Sequence, residues 1–209
     1  MRKILYIVIF SIAACKTEKP TPKKYPNAEE NKTNTSSISD FKLYDKNNFK
    51  DTQRNYDFLG ERFSGTGKTV FMNDLFYAAS ILPKEYYIKK YVKKADSLNV
   101  YLEKFKKEEV VQFDFQHVEG VDLFKDKSVK EVETLVKYLS FEIKNDFFAI
   151  SQSGDTIPAS GVHFERSFKL TPYKRLLLYF KFPKEIKQLK LVYYGKVFDR
   201  QILKFNLQK

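Results

Sequence analysis

The sequence predicts a mainly β protein: an antiparallel β-sandwich carrying one or two short helical insertions. Three observations predict it. From residue 139 onward, short runs rich in strand-forming residues are separated by Pro and Gly turn signals at a spacing of roughly 8–12 residues. Aromatics make up 16% of the chain and all are Phe or Tyr, which suit a pleated, half-buried surface. Helical signals are confined to the middle of the chain, at 84–95 and 128–138.

The first element is a leader. Arg2 and Lys3 give a positive start, residues 4–12 form an apolar run broken only by Tyr6 and Ser11, and Ile12-Ala13-Ala14 precede Cys15. The run is shorter than the ~20 residues needed to cross a bilayer as a helix. An aliphatic residue, two small ones and a cysteine resemble the lipobox of bacterial lipoproteins. The resemblance implies that residues 1–14 are a signal peptide removed by cleavage, and that Cys15 then carries acyl chains. Two chains anchor stably, since each buried CH₂ adds ~0.8 kcal/mol. The chain has one cysteine, so an internal disulfide is excluded. Lys16 follows it, where an Asp would resemble the inner-membrane retention signal of enteric lipoproteins, so an outer membrane is expected. CKTEKP also partly resembles the Lys-plus-acid signals that send Bacteroidetes lipoproteins to the cell surface. Only Glu18 is acidic there, which leaves periplasmic and surface faces both open.

Residues 16–40 are dominated by Pro, Lys, Asn, Ser and Thr and cannot bury enough surface to fold. They make a tether for Cys15 reaching ~25–30 Å on average. Residues 41–209 then form one domain, long enough to bury a sizeable core.

Within that domain, 84–105 is divided between patterns. Ile88, Tyr91, Val92, Ala95, Leu98, Leu102 and Phe105 fit a helical stripe, while Leu98-Val100-Leu102 also alternate as in a strand. The division favours helix to about Ala95 and strand from Leu98. Residues 110–118 (VVQFDFQHV) read as a strand. Ser128 followed by Glu131 is a capping-box pattern, with Val129, Val132, Leu135, Val136 and Leu139 along one helix face. Residues 139–150 (LSFEIKNDFFAI) read as a strand, followed by turn signals at Gly154-Asp155, Pro158 and Gly161. Residues 162–170 alternate, 175–182 (RLLLYFKF) are dense enough for a central strand, and 190–194 lead to Gly195. The final run, 202–207, sets Ile202-Lys204-Asn206 against Leu203-Phe205-Leu207. The order of these pieces over 150–207 resembles the last strands of immunoglobulin-like domains in exported bacterial lipoproteins. That implies an immunoglobulin-like sandwich and nothing about activity.

Ser64-Gly65-Thr66-Gly67-Lys68-Thr69 resembles the end of a phosphate-binding P-loop, with Asp114 as its magnesium-binding acid. The first glycine of that pattern would fall on Arg62, where a Cβ opposes the required curl. A flexible loop between strands is the expected alternative. His117 and His163 could bind a metal with Asp114 or Glu165 only if the fold joined them, because neither has a partner at ligand spacing. Asp155 is expected as a turn acid. Alternation places Glu165 and Arg166 on opposite strand faces, with Arg166 on the apolar side, where a buried ion pair would be needed. No nucleophile, paired-acid or metal-ligand pattern stands out, so no cofactor or catalytic residue is assigned.

The net charge of +12 does not indicate nucleic acid. Lysines are spread along the chain among acids, and arginine occurs only at 2, 54, 62, 166, 175 and 200. The resulting expectation is a non-enzymatic, lipid-anchored module that binds or scaffolds an envelope protein or polysaccharide. An accessory subunit of an envelope enzyme and an immunity or inhibitor lipoprotein are the alternatives.

Overall fold

The computed structural model describes residues 50–92, 98–166, 171–198 and 201–209. The leader, Cys15, the tether and residues 41–49 lie outside the described residues, as do Ala95 and 167–170. In chain order the elements are β1 (Lys50–Phe58), β2 (Glu61–Met72), β3 (Leu75–Ile81), α1 (Lys84–Tyr91), α2 (Leu98–Lys104) and β4 (Glu108–His117). Then follow α3 (Val129–Lys137), β5 (Phe147–Ile150), β6 (Thr156–Pro158), β7 (Gly161–Glu165), β8 (Tyr173–Lys181), β9 (Gln188–Tyr194) and β10 (Ile202–Gln208).

Two antiparallel sheets pack as a sandwich. One has six strands in the order β1-β2-β3-β4-β8-β7, the other four in the order β10-β9-β5-β6. The expected sandwich is therefore observed, built on a four-strand meander at one end of the larger sheet. Three helices occur among the described residues where one or two insertions were expected.

Alternation decides which side chains meet between the sheets. Phe113 of β4 is the centre of the interior: its ring lies 4.9 Å from Phe147, 5.3 Å from Tyr193 and 5.7 Å from Phe205. Leu203, Phe205 and Leu207 are buried while Ile202, Lys204 and Asn206 face solvent, as the sequence pattern of β10 requires. β8 is a central strand covered on both sides: Leu176 and Leu178 face the other sheet, and Leu177 is covered by the aromatics around α1.

Helix α3 begins at the predicted capping box. Ser128 Oγ accepts from the Glu131 amide at 3.3 Å, and Glu131 accepts from the Ser128 amide at 2.8 Å. The stripe is only partly realised, since Val129 is 76% exposed.

Two expectations are corrected. Residues 98–104 are helix, not strand. β4 already has β3 and β8 on its two edges, so no edge is left for a preceding strand to pair with it. Leu98, Leu102 and Phe105 follow helical spacing and Val100 points to solvent. Residues 139–146 are likewise not strand: α3 continues through a π turn (Tyr138–Glu142) and a 3₁₀ turn (Ile143–Asp146). Leu139 and Ile143, four residues apart, are the buried pair, which is a helical spacing. Strand begins only at Phe147.

Two hairpin loops have two residues each with positive φ, Leu59-Gly60 (48° and 81°) and Asn73-Asp74 (48° and 62°). Asn and Asp tolerate this conformation. Leu does so only under strain, and Leu59 is 89% exposed.

Candidate functional site

The face of the six-stranded sheet turned away from the second sheet carries a polar band that crosses the sheet from β1 to β7. Its register is set by pairing: Ala78 of β3 stands beside Asp114 of β4, Asp114 beside Arg175 of β8, and Arg175 beside Glu165 of β7. Arg175 donates to Asp114 through Nε at 2.8 Å and Nη2 at 3.0 Å, a bidentate pair. Gln112 donates to the same carboxylate at 2.9 Å, and Arg54 reaches it at 3.4 Å. On the other side of Arg175, Glu165 lies 3.8 Å away and accepts a hydrogen bond from Tyr91 of α1. The ring of Tyr173 lies 4.8 Å from the guanidinium.

Arg54 comes from β1, separated from β4 by two strands. Small residues make that reach possible. A Cβ added to Gly67 would stand 2.7 Å from Arg54 Nε, so the side chain lies across the space a larger residue would fill. Tyr56 lies similarly against Gly65 and shares a 2.6 Å hydrogen bond with the hydroxyl of buried Ser80.

These contacts set the protonation states. Burial alone would lower the affinity of Arg175 for its proton. The Asp114 carboxylate more than offsets this and holds the guanidinium firmly charged. Tyr91 is held protonated well above the usual phenol range, by burial and then by its bond to Glu165. Tyr179 is raised by burial and by Tyr87, and Tyr56 chiefly by burial.

The residues singled out in the sequence fall as follows. Ser64–Thr69 form no loop: they lie inside β2, hydrogen-bonded to β1 and, from Gly67, to β3, so the backbone N–H groups of a phosphate cradle are committed to a sheet. The glycines serve close approach by Arg54 and Tyr56. Both the P-loop reading and the flexible-loop alternative are replaced by this strand. Asp114 faces Arg175. His117 and His163 project from opposite faces of the sheet, on β4 and β7 with β8 between them. Among the described residues no group of three or more His, Cys, Asp or Glu is arranged to hold a metal ion. Asp155 does stand in a turn, but its carboxylate accepts from the hydroxyls of Ser153 (2.5 Å) and Ser151 (3.3 Å). Glu165 pairs with Arg175 rather than Arg166, which lies beyond the end of β7 and is exposed.

Two further carboxylates are almost fully buried. Glu109 Oε1 lies 3.1 Å from Lys84 Nζ and 2.8 Å from Lys209 Nζ. Asp146 accepts from Tyr138 and Lys196, and burial followed by the Asp146 bond keeps the Tyr138 phenol protonated. Beside Arg175 an open groove of about 360 Å³ is lined by His163, Glu165, Arg166, Thr171, Tyr173 and Arg175.

Fold and site together define a class: a mainly β sandwich whose polar cluster is knitted into a sheet face. No protein-family model matches the chain, and neither does any curated protein. Among solved structures it is similar to the crystal structure of a DUF4426 family protein from Pseudomonas aeruginosa, with 14% sequence identity and a TM-score of 0.35. The match covers 68% of this chain and 94% of that one.

Proposed function

We propose that this protein is a lipoprotein anchored to the outer membrane through Cys15, whose sandwich is a non-enzymatic module that binds or scaffolds another envelope protein or polysaccharide. One observation carries the binding part of the proposal. The charged groups of the sheet-face cluster are spent on one another: Asp114 takes Arg175, Arg54 and Gln112, and Glu165 takes Tyr91. Such a network stiffens a sheet and holds its register. Beside it and along the four-stranded sheet lie open grooves, which suit contact with an extended partner.

The test is crosslinking and pull-down from native membranes, comparing wild type with Cys15→Ala. A partner recovered by wild type and lost or reduced in the unanchored form is the expected result. Turnover of an envelope substrate by purified protein, with no partner recovered, would overturn the reading. Metabolic acyl labelling that persists in Cys15→Ala would separately remove the anchor.

An inhibitor or immunity lipoprotein is the second reading, favoured by one observation. Leu59 stands strained and 89% exposed at the tip of the β1–β2 hairpin, the shape of a side chain offered to a cleft. Loss of partner capture on Leu59→Gly, which keeps the turn, would select this reading.

A further inference from the structure

The solvent face of the four-stranded sheet has a composition that the binding proposal leaves unused. Alternation and pairing put twelve side chains of β5, β6, β9 and β10 on it, among them Lys190 and Tyr194 of β9 and Lys204 and Asn206 of β10. None is acidic. Lys190 and Lys204 stand on it with no carboxylate partner among the described residues, in contrast to Arg175 and Lys174 of β8, which pair with Asp114 and Asp122. The acid in the turn after β5, Asp155, is engaged by Ser151 and Ser153.

At one end Tyr194 and Ile202 sit side by side, 43% and 55% exposed. The Tyr194 ring packs at right angles to Phe148, with centroids 5.8 Å apart at 89°, a contact that braces it on the sheet. A groove of about 510 Å³ opens there, lined by Tyr194, Gly195, Lys196, Gln201 and Ile202. At the other end a second groove, about 420 Å³, is bordered by Gln188, Lys190, Asn206 and Gln208. The strand between the two ends spans about 20 Å at the usual rise per residue.

We propose that this face binds an acidic polysaccharide, which deepens the binding reading above and rests on it. Each part of the face meets one part of such a ligand. The exposed ring packs on the C–H face of a sugar, the amides of Gln188, Asn206 and Gln208 bond vicinal hydroxyls, and the lysines meet carboxylate or sulfate groups. A face with no acid and no carboxylate partner for its lysines among the described residues is complementary to a polyanion. An amide-rich, elongated one with a groove at each end is complementary to a sugar chain more than to the apolar anchors of a protein interface.

The test uses the full chain in its Cys15→Ala form, so that acyl chains do not enter the readout. Affinity electrophoresis in polygalacturonate, dextran sulfate and neutral dextran, with flotation on phosphatidylglycerol vesicles, supplies the probes. Retention by either acidic polymer and not by dextran is expected, weakening with salt. The pair Lys190→Ala and Lys204→Ala should weaken it about tenfold, and Tyr194→Ala by a similar factor, while Tyr194→Phe retains it. Lys125→Ala with Lys130→Ala removes the same charge elsewhere and should leave binding unchanged. Equal loss in that control pair, retention by neither acidic polymer, or binding to vesicles alone would each overturn the proposal. Crosslinking separates its failure from that of the binding reading. A chain carrying all three face substitutions that still captures the wild-type partner sinks only this surface, whereas a wild type that binds no polymer and captures no partner sinks both.

Discussion

The two faces of the six-stranded sheet are built on opposite principles. Toward the second sheet, Tyr77, Phe113, Phe115, Leu176, Leu178 and Phe180 make a continuous apolar surface. Away from it, Arg54, Gln112, Asp114, Arg175 and Glu165 form a band of hydrogen bonds and ion pairs over Gly67 and Ala78. The inner face gains from area removed from water and tolerates small shifts of angle. The outer face gains only when atoms meet at about 3 Å, so it fixes which residue stands beside which. A one-residue slip of β8 against β4 would turn Arg175 inward and Leu176 out. The inner face thus supplies most of the stability, and the outer face helps select one register.

That division can be broken first on the inner side. Phe113→Ala removes the ring around which Phe147, Tyr193 and Phe205 pack, and should cost ~3–5 kcal/mol. Urea unfolding followed by tyrosine fluorescence measures it. A cost under ~1 kcal/mol would mean that the core is not organised around this residue.

On the outer side Asp114→Ala should cost less, about 1.5–3 kcal/mol, since the lost hydrogen bonds are to charged groups that are partly open to solvent and Arg175 keeps the more distant Glu165. The informative variant is the pair Asp114→Leu and Arg175→Met. If the band serves mainly to specify register, the double variant recovers most of the lost stability. Its amide exchange in β4 and β8 should nevertheless be faster than wild type at equal stability, reporting looser pairing. Unchanged exchange would remove the register role.

The contrast also explains what was legible in the sequence. The buried faces were legible because burial writes a pattern: Leu203-Phe205-Leu207 stand in the structure as the alternation requires, and the dense run from 175 to 182 falls on β8, which is covered on both sides. The Ser128–Glu131 box was legible because both partners lie within one turn. The band was not, because its members come from positions 54, 112, 114, 165 and 175, and pairing across strands leaves no local spacing. Two signals did exist. Asp114 interrupts an aromatic run, and Gly65 and Gly67 recur at strand period, which marks close approach by neighbouring side chains. Residues 98–104 misled for a different reason. Leu98, Val100 and Leu102 alternate, but β4 has no open edge for them to join. Local pattern does not report whether a sheet edge is available.

The smallest effect expected is on pH, and it again separates the faces. Tyr56, Tyr91 and Tyr179 lie on the outer side, and the proton affinity of each is raised above the ordinary value of 10.0, first by burial. In the unfolded chain these phenols ionise near that ordinary value. Below it both states are protonated and the contribution to stability is fully present. Above it the unfolded state sheds protons that the folded state keeps, so unfolding becomes easier as pH rises, until the folded phenols ionise in turn. Urea midpoints should therefore stay level from about pH 8 to the phenol range and fall by about pH 11. Tyr91→Phe removes one of these groups together with its bond to Glu165, so the variant should start lower and fall less steeply. An alkaline slope equal to that of wild type would show that Tyr91 does not carry the difference, and would leave it to Tyr56 and Tyr179 on the same face or to Tyr138 beside Asp146.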